Sequence, residues 1–266
     1  MKKKQGINSA AVGFIDGFTH LFKGLKFAYV DHRELAGLYL FPMFLGVLFM
    51  IGGIVVFACI SDTIVAWVLD EPDGWLLHFL WGLVRFFVWL VLAAATVVSS
   101  VFVFMLVAAP FSDAISEKVE GIRGTWEARP FSIRFLLNDL SHTLLLESVR
   151  LGIKLAWLTP LFILSLLIPG AGQVIYVIVG GYLLAKFFGM DYVDWALARR
   201  GYTWKERFVF ARKNRPAILG FGLAVLLALM IPLGFVFIWP AAVAGGTILC
   251  TNLNPEDCNR KGGGAE

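Results

Sequence analysis

Residues 35–60 read LAGLYLFPMFLGVLFMIGGIVVFACI, and this stretch contains no charged side chain. A helix needs about 20 predominantly apolar residues to cross the hydrocarbon core of a bilayer, so the stretch is long enough to span it. Pro42 lies in its first turns, where a proline disturbs a helix least. The stretch therefore predicts a transmembrane helix and places the chain among integral membrane proteins.

The composition of the whole chain agrees with this class. Of the 266 residues, 59% are hydrophobic and 16% are charged, whereas soluble domains average about 45–50% apolar and about 25% charged residues. The net charge is only +4, and the basic residues lie beside apolar runs instead of forming a separate basic stripe. This distribution is typical of contact with lipid headgroups and does not predict nucleic-acid binding.

A second uncharged run covers residues 86–111 and predicts a second full span. Residues 61–80, between the two runs, contain acidic side chains but no Lys or Arg, and they predict a loop. The N-terminus and residues 112–154, in contrast, contain Lys and Arg side chains. The positive-inside rule therefore predicts that these basic segments are cytoplasmic and that the acidic loop lies outside.

Two further apolar runs, residues 155–188 and 216–250, are interrupted near their middles. Residues 168–173 read IPGAGQ and residues 231–234 read IPLG, and Pro with Gly indicates a turn. Each run therefore predicts a helical hairpin that either crosses the bilayer with tilted helices or re-enters it partway. In transporters, such paired interruptions point to a binding site.

Amphipathic helices are predicted at two further places. The N-terminal one either lies in the membrane interface or packs on the protein's own surface. Its apolar positions are Ala11, Phe14, Phe18, Leu21 and Leu25. Similar spacing recurs from Ile115 to Trp126. The prediction is an all-α integral membrane protein with one membrane domain over residues 1–250 and a polar, disordered tail over residues 251–266.

The chain shows no pattern typical of an enzyme. It contains no phosphate-binding loop, dinucleotide fingerprint or nucleophile elbow. Its three cysteines and four histidines do not have the spacing of a zinc site. The sequence therefore predicts neither catalysis nor a bound cofactor or metal.

Several short segments carry a resemblance to one family of membrane proteins. In chain order they are residues 109–120, 168–173, 191–194, 199–201, 212–215, 231–233 and 240–247. They resemble the CysZ-type sulfate permeases, which share a domain with the etoposide-induced-protein membrane family. The resemblance implies two long spanning helices, two partly penetrating helix pairs and amphipathic helices at the interface.

The resemblance also implies a function. Members of the family form oligomers and import sulfate across the bacterial inner membrane for cysteine biosynthesis, so sulfate or a related anion, the bilayer and further copies of the chain are the expected partners. Transport would proceed through a channel or a proton-linked carrier. The alternative is a structural or interaction membrane protein of the same domain family that transports nothing.

The family's sulfate-binding stretch lies just before the first span, where this chain has residues 29–35. By this resemblance Arg33 is the best candidate for substrate contact, with His32 and Lys26 beside it. Asp31 and Glu34 flank Arg33, and their carboxylates would repel a dianion.

The remaining candidates are pore or motif residues with two interpretations each. Backbone N–H groups near residues 170–172 and 245–247 either bind an anion or serve a tight turn and close helix packing. Glu117 and Glu120 lie beside Lys118 and Arg123. They form either a gating ion-pair network or proton relay, or a solvated or intersubunit salt bridge. The full set is Pro110, Phe111, Ser112, Asp113, Glu117, Glu120, Pro169, Gly170, Gly172, Gln173, Gly245, Gly246 and Thr247.

Overall fold

The computed structural model describes residues 2–68, 74–126, 133–168, 170–231 and 234–253, and all regular structure within these ranges is helical. The helices are α1 (Lys2–Lys26), α2 (Ala36–Val68), α3 (Trp75–Ile122), α4 (Ile133–Leu167), α5 (Ala171–Ile175), α6 (Gly181–Arg199), α7 (Trp204–Lys213), α8 (Arg215–Leu229) and α9 (Gly234–Leu253). A π-helical segment joins α5 to α6, and short π and 3-10 turns join α1 to α2.

Five helical segments in the described part of the chain are long and apolar enough to cross a membrane. They are Arg33–Ile64, Leu77–Ile122, Ser148–Leu167, Ala171–Arg199 and Gly234–Leu253. The first two contain the two uncharged runs that predicted full spans. The all-α membrane fold is therefore confirmed.

The boundaries of α2 and α3 differ from the prediction. The helix α2 continues to Val68 and α3 begins at Trp75, so most of the predicted loop over residues 61–80 is helical. Asp62 is the only charged residue among residues 61–68, and it forms an ion pair of 3.0 Å with Arg85 of α3. Asp70, Glu71 and Asp73, which suggested the loop, lie outside the described residues.

The helix α3 also extends further toward the C-terminus than predicted. It runs through Pro110 to Ile122, so the expected amphipathic helix near Ile115 is its last part. A proline inside a membrane helix is tolerated where neighbouring groups satisfy the freed backbone carbonyl. Ile115 and Val119 are both fully buried, as the apolar spacing of this segment predicted.

The chain divides into two compact units, of which the second is residues Phe41–Ala108. Within it, α2 and α3 approach closely at small residues. A Cβ on Gly46 would lie 2.4 Å from a ring carbon of Phe104, and one on Gly53 would lie 2.8 Å from Ser100 Oγ. Large apolar side chains such as Phe44 and Val98 remain exposed on this unit, which suits a lipid environment.

The first unit comprises Met1–Leu40 and Ala109–Glu266, and α9 lies in its core. Every residue from 239 to 251 is buried. The helix α1 packs on α8 and α9, and a Cβ on Gly24 would lie 2.2 Å from the Ala241 carbonyl oxygen. Of the two alternatives for α1, the structure thus shows packing on the protein itself, while Ile15 and Phe22 remain 62% and 59% exposed.

Both predicted turns separate helices that form hairpins. The first joins α4 to the α5–α6 segment near Gly170, and the second joins α8 to α9 after Leu229. The helix α8 has 15 residues, so at about 1.5 Å per residue it is about 22 Å long. Because the hydrocarbon core is about 30 Å thick, this length favours partial penetration by the second hairpin.

The structure describes only the first residues of the predicted tail and does not test the predicted domain. The last helical turn includes Thr251, so the tail begins later than predicted. Residues 254–266 lie outside the described residues. A single membrane domain over residues 1–250 stays a prediction.

Candidate functional site

A buried carboxylate near the end of α3 is the centre of a cluster of charged side chains in the first unit. Glu120 is 0% exposed and accepts hydrogen bonds from Arg199 Nη1 at 2.6 Å and Arg200 Nη2 at 2.5 Å. Arg199 also donates to Asp113 Oδ1 at 2.9 Å. Two carboxylates therefore face two guanidinium groups, which is the pairing that buried charges require.

The Nε donor of Arg199 is not used by the carboxylates of this cluster. Its side chain is 10% exposed, and its Nε is buried without a hydrogen-bond partner among the described residues. A guanidinium group presents its N–H donors in a planar fork that matches the geometry of oxyanions. Because this N–H group is shielded from solvent, an oxyanion could accept from it only if the cluster opened.

Two hydroxyl groups continue the same face of α3 at intervals of four residues. Ser112 accepts a hydrogen bond of 2.8 Å from the indole Nε1 of Trp239, and Ser116 Oγ lies 2.9 Å from Thr247 Oγ1. Both partners belong to α9. We call Ser112, Ser116 and Glu120 the α3 polar face. Its two hydroxyl groups contact α9, whereas its carboxylate contacts the end of α6.

A second ion cluster ties α4 to α6 and α7. Asp194 is buried and pairs with Arg150 and, at 3.0 Å, with Arg207. One turn earlier on α6, Asp191 pairs with Lys154. Because both carboxylates are matched by cations from neighbouring helices, this cluster holds the first hairpin against α7.

His20 forms a third polar group at the buried side of α1. Its Nδ1 lies 2.6 Å from the Asp16 carbonyl oxygen, and its Nε2 lies 3.1 Å from Asn252 Nδ2. These partners suit the neutral ring with a proton on Nδ1. Burial lowers the pKa of His20 below its ordinary 6.5, while the Asp16 carbonyl and carboxylate raise it and Lys23 and Arg123 lower it.

This environment gives the stability of the protein a pH dependence. Because the folded pKa of His20 is lowered, the unfolded chain binds a proton more readily as the pH falls through 6.5. The free energy of unfolding is therefore expected to fall from pH 7 toward pH 5. Thermal unfolding in detergent should show a shallower pH dependence for His20→Gln than for the wild type. An equal slope in both proteins would contradict this assignment, and His78→Gln serves as an exposed control.

The candidates for substrate contact lie near the start of the first span. Lys26 and Arg33 are exposed and His32 is half-buried. Glu34 is drawn toward Lys118 of α3, whose Nζ lies 4.0 Å from its carboxylate and 3.2 Å from its carbonyl oxygen. This pairing offsets part of the repulsion that Glu34 would exert on an anion at Arg33. For Arg33 itself, no ion pair occurs with any residue that the structure describes.

The interpretation of Glu120 as a solvated ion pair is wrong. Lys118 faces Glu34, and Arg123 donates to Asn252 at 2.7 Å, so neither cation beside Glu120 in sequence pairs with it. Glu117 is half-buried. The partners of Glu120, Arg199 and Arg200, were absent from the predicted site.

The glycine segments serve turns and close packing. Gly170 has a φ of 81°, and Gln173 Nε2 donates to the Ser165 carbonyl at 3.1 Å across the first hairpin. A Cβ on Gly245 would lie 2.5 Å from the His20 carbonyl oxygen, and one on Gly246 would lie 2.7 Å from the Tyr192 carbonyl oxygen. Gly170 thus lies in a turn, and Gly245 and Gly246 lie where helices approach closely, while anion binding by these N–H groups stays a prediction.

The other predicted motif residues are dispersed along α3 and the first turn. Phe111 and Pro110 lie on α3 just before the α3 polar face and are half-buried. Pro169 lies outside the described residues. No group of His, Cys, Asp or Glu that could hold a metal ion occurs in the described part of the chain.

Taken together, the helices and the buried polar contacts define an all-helical integral membrane protein. The model of the family described as Sulfate transporter CysZ/Etoposide-induced protein 2.4 matches residues 21–240. The chain belongs to this family, which confirms the resemblance seen in its short segments. The first of the two proteins in this description is a transporter, and its named substrate is an anion.

Individual relatives agree with the family match. A protein from Pseudomonas fluorescens strain Pf-5, named Sulfate transporter CysZ, is 37% identical over 147 residues, which cover 54% of this chain and only 57% of that protein. A protein of the same name from strain Pf0-1 is 31% identical over 212 residues, covering 77% of this chain and 79% of the relative. One from Vibrio parahaemolyticus is 23% identical over 242 residues, covering 88% and 93%.

Proposed function

We propose that this protein is a permease that imports sulfate across the bacterial inner membrane for cysteine biosynthesis, and that it is not an enzyme. The observation that carries the proposal is the match to a sulfate transporter over 79% of that relative's length. The basic N-terminus and the basic segments around α7 are assigned to the cytoplasmic side. The working form is a homo-oligomer.

We assign two parts of the chain to the path of the anion. Arg33, with His32 and Lys26, makes the first contact, because its guanidinium is exposed and free of ion pairs with the described residues. The α3 polar face organises the pore, and the Glu120 cluster acts as its gate. An oxyanion that accepts from Arg199 would compete with Glu120 for this guanidinium, which gives the ion pair a closed and an open arrangement.

The test of the function is sulfate binding to the full chain in detergent, followed by uptake of labelled sulfate into liposomes. We expect saturable binding that chloride and phosphate displace poorly, and uptake that depends on the protein. Folded protein that neither binds sulfate nor carries it across the liposome membrane would overturn the proposal and favour a non-transporting membrane protein.

The same measurements test Arg33. A hydrogen bond to a charged group contributes about 1.5–3 kcal/mol, so Arg33→Ala should weaken sulfate binding by roughly tenfold or more. Lys205→Gln removes an exposed positive charge of α7 and should leave the affinity unchanged. Sulfate affinity that is equal in Arg33→Ala and wild type would refute this residue assignment while leaving the permease function intact.

A further inference from the structure

A cavity of about 480 Å³ lies among α4, α6, α7 and α8 in the first unit. Six basic side chains line it, against two carboxylates, those of Asp191 and Asp194. The basic residues are Arg150, Lys154, Lys186, Arg207, Arg212 and Arg215. The cavity thus carries a clear excess of positive charge and is separate from the α3 polar face.

The excess charge is concentrated on three of these residues. Asp194 pairs with Arg150 and Arg207, and Asp191 pairs with Lys154. In the described part of the chain, no carboxylate lies within ion-pair distance of Lys186, Arg212 or Arg215. Lys186 instead lies over the ring of Phe208 at 5.8 Å. Arg215 donates a hydrogen bond to the Tyr182 hydroxyl and lies over its ring at 5.5 Å, so its charge is not matched by a carboxylate. These cations are available to an external anion.

The remaining wall of the cavity is apolar, which favours an anion that also has a hydrocarbon part. It includes Phe187, Met190, Phe208, Ile218 and Leu219. A free sulfate or phosphate ion is strongly hydrated and gains nothing from such a wall. A ligand with a charged head group and a hydrocarbon chain would gain binding free energy both from the basic residues and from burial of its chain against the apolar wall.

The position of α7 points to the bilayer as the source of this ligand. Trp204 and Phe208 are 59% and 63% exposed, and Lys205, Arg212 and Lys213 lie on the same short helix. Exposed aromatic residues combined with basic ones are typical of a helix at the headgroup level of a membrane. Basic pockets between membrane helices at this level bind the phosphate groups of acidic lipids.

We propose that this cavity binds an anionic glycerophospholipid. Its phosphate lies among Lys186, Arg212 and Arg215, and an acyl chain lies along the wall formed by Phe187, Phe208 and Leu219. The bound lipid ties α7 to α6 and α8. This role is independent of sulfate transport, because none of these residues belongs to the assigned anion path.

The first test measures lipid retention by native mass spectrometry of the full chain in a neutral detergent. We expect phosphatidylglycerol to bind at least tenfold more tightly than zwitterionic phosphatidylcholine, and millimolar inorganic phosphate to compete poorly with it. Equal retention of the two lipids would overturn the proposal. Displacement of the lipid by inorganic phosphate at equal concentration would also overturn it, because the site would then bind a free anion.

The second test compares two double variants. Lys186→Gln with Arg212→Gln removes two cations of the cavity, whereas Lys205→Gln with Lys213→Gln removes two exposed charges of α7 that do not line it. The cavity variant should bind phosphatidylglycerol roughly 30-fold more weakly, and the control should stay within about threefold of wild type. Equal losses in both would show diffuse surface attraction and refute the site.

A single variant tests the site even if the double variant does not fold. Arg212 is exposed and makes no ion pair with the described residues, so Arg212→Gln breaks no ion pair among them. It should weaken phosphatidylglycerol binding by roughly fivefold. Unchanged binding in this variant, with unchanged thermal unfolding, would contradict the proposal.

Discussion

Glu120→Gln is expected to lower the free energy of unfolding by about 3–5 kcal/mol, which is the usual cost of removing one partner from a buried ion pair. Glutamine keeps the size of the side chain but removes its charge. Arg200, whose side chain is 1% exposed, then loses the carboxylate that it contacts at 2.5 Å. Arg199 keeps Asp113 as its only carboxylate partner among the described residues. The midpoint of thermal unfolding in detergent measures the effect.

The matched control is Glu34→Gln. Glu34 also carries a carboxylate paired with a cation, Lys118, but at 4.0 Å and with 56% of its side chain exposed. Exposed pairs contribute about 0–1 kcal/mol, so this variant should unfold close to the wild-type temperature. If Glu120→Gln and Glu34→Gln unfold at the same temperature, the buried cluster does not hold α3 against α6.

A double variant separates the charge from the shape of the cluster. In Glu120→Gln with Arg200→Gln, the cation left by the first substitution is also removed. We expect the double variant to recover part of the stability lost in Glu120→Gln, because removing one partner of a buried ion pair costs more than replacing both partners. Additive losses would instead show that the two residues contribute independently.

The membrane helices could be predicted because their signal is local in the sequence. Residues 35–60 and 86–111 contain no charged side chain. Uncharged runs of this length are typical of helices that cross the hydrocarbon core of a bilayer. The ends of these helices could not be predicted in the same way. Asp62 suggested a loop, but Arg85, which is 23 residues away, pairs with it and allows α2 to continue.

The candidate site shows the same division between local and distant signals. Ser112 and Glu120 were selected from one short segment, and both belong to the α3 polar face. Their partners are distant: Trp239 is 127 residues from Ser112, and Arg200 is 80 residues from Glu120. Residues 199–201 were noted only as one of the segments that carry the family resemblance, because nothing within that segment indicates which carboxylate they contact.

The role of the small residues of α6 and α8 in helix packing could not be predicted from the sequence either. Gly222 occurs in an apolar run, where glycine weakens a helix. In the structure it lies where α8 meets α6, and small residues allow the backbones of membrane helices to approach closely. This contact determines how the second hairpin is held in the first unit, and it supports a second prediction of large effect.

Gly222→Ala is expected to lower the free energy of unfolding by about 3 kcal/mol, at the upper end of the usual cost of overpacking. The added Cβ would lie 1.7 Å from the Ala185 carbonyl oxygen and 2.6 Å from the Gly189 nitrogen. These are backbone atoms of α6 that no change of rotamer can move, so the two helices must separate. Thermal unfolding in detergent measures the loss.

Gly181→Ala, also in α6, is the matched control, since a Cβ there meets nothing within 4 Å among the described residues. Alanine is favoured over glycine inside a helix by about 0.5–1 kcal/mol, so this variant should unfold at an equal or higher temperature than wild type. The same substitution thus has opposite expected signs at the two positions. If both variants are stabilised, the backbone of α6 does not approach Gly222 closely, and the described packing of α8 against α6 is refuted.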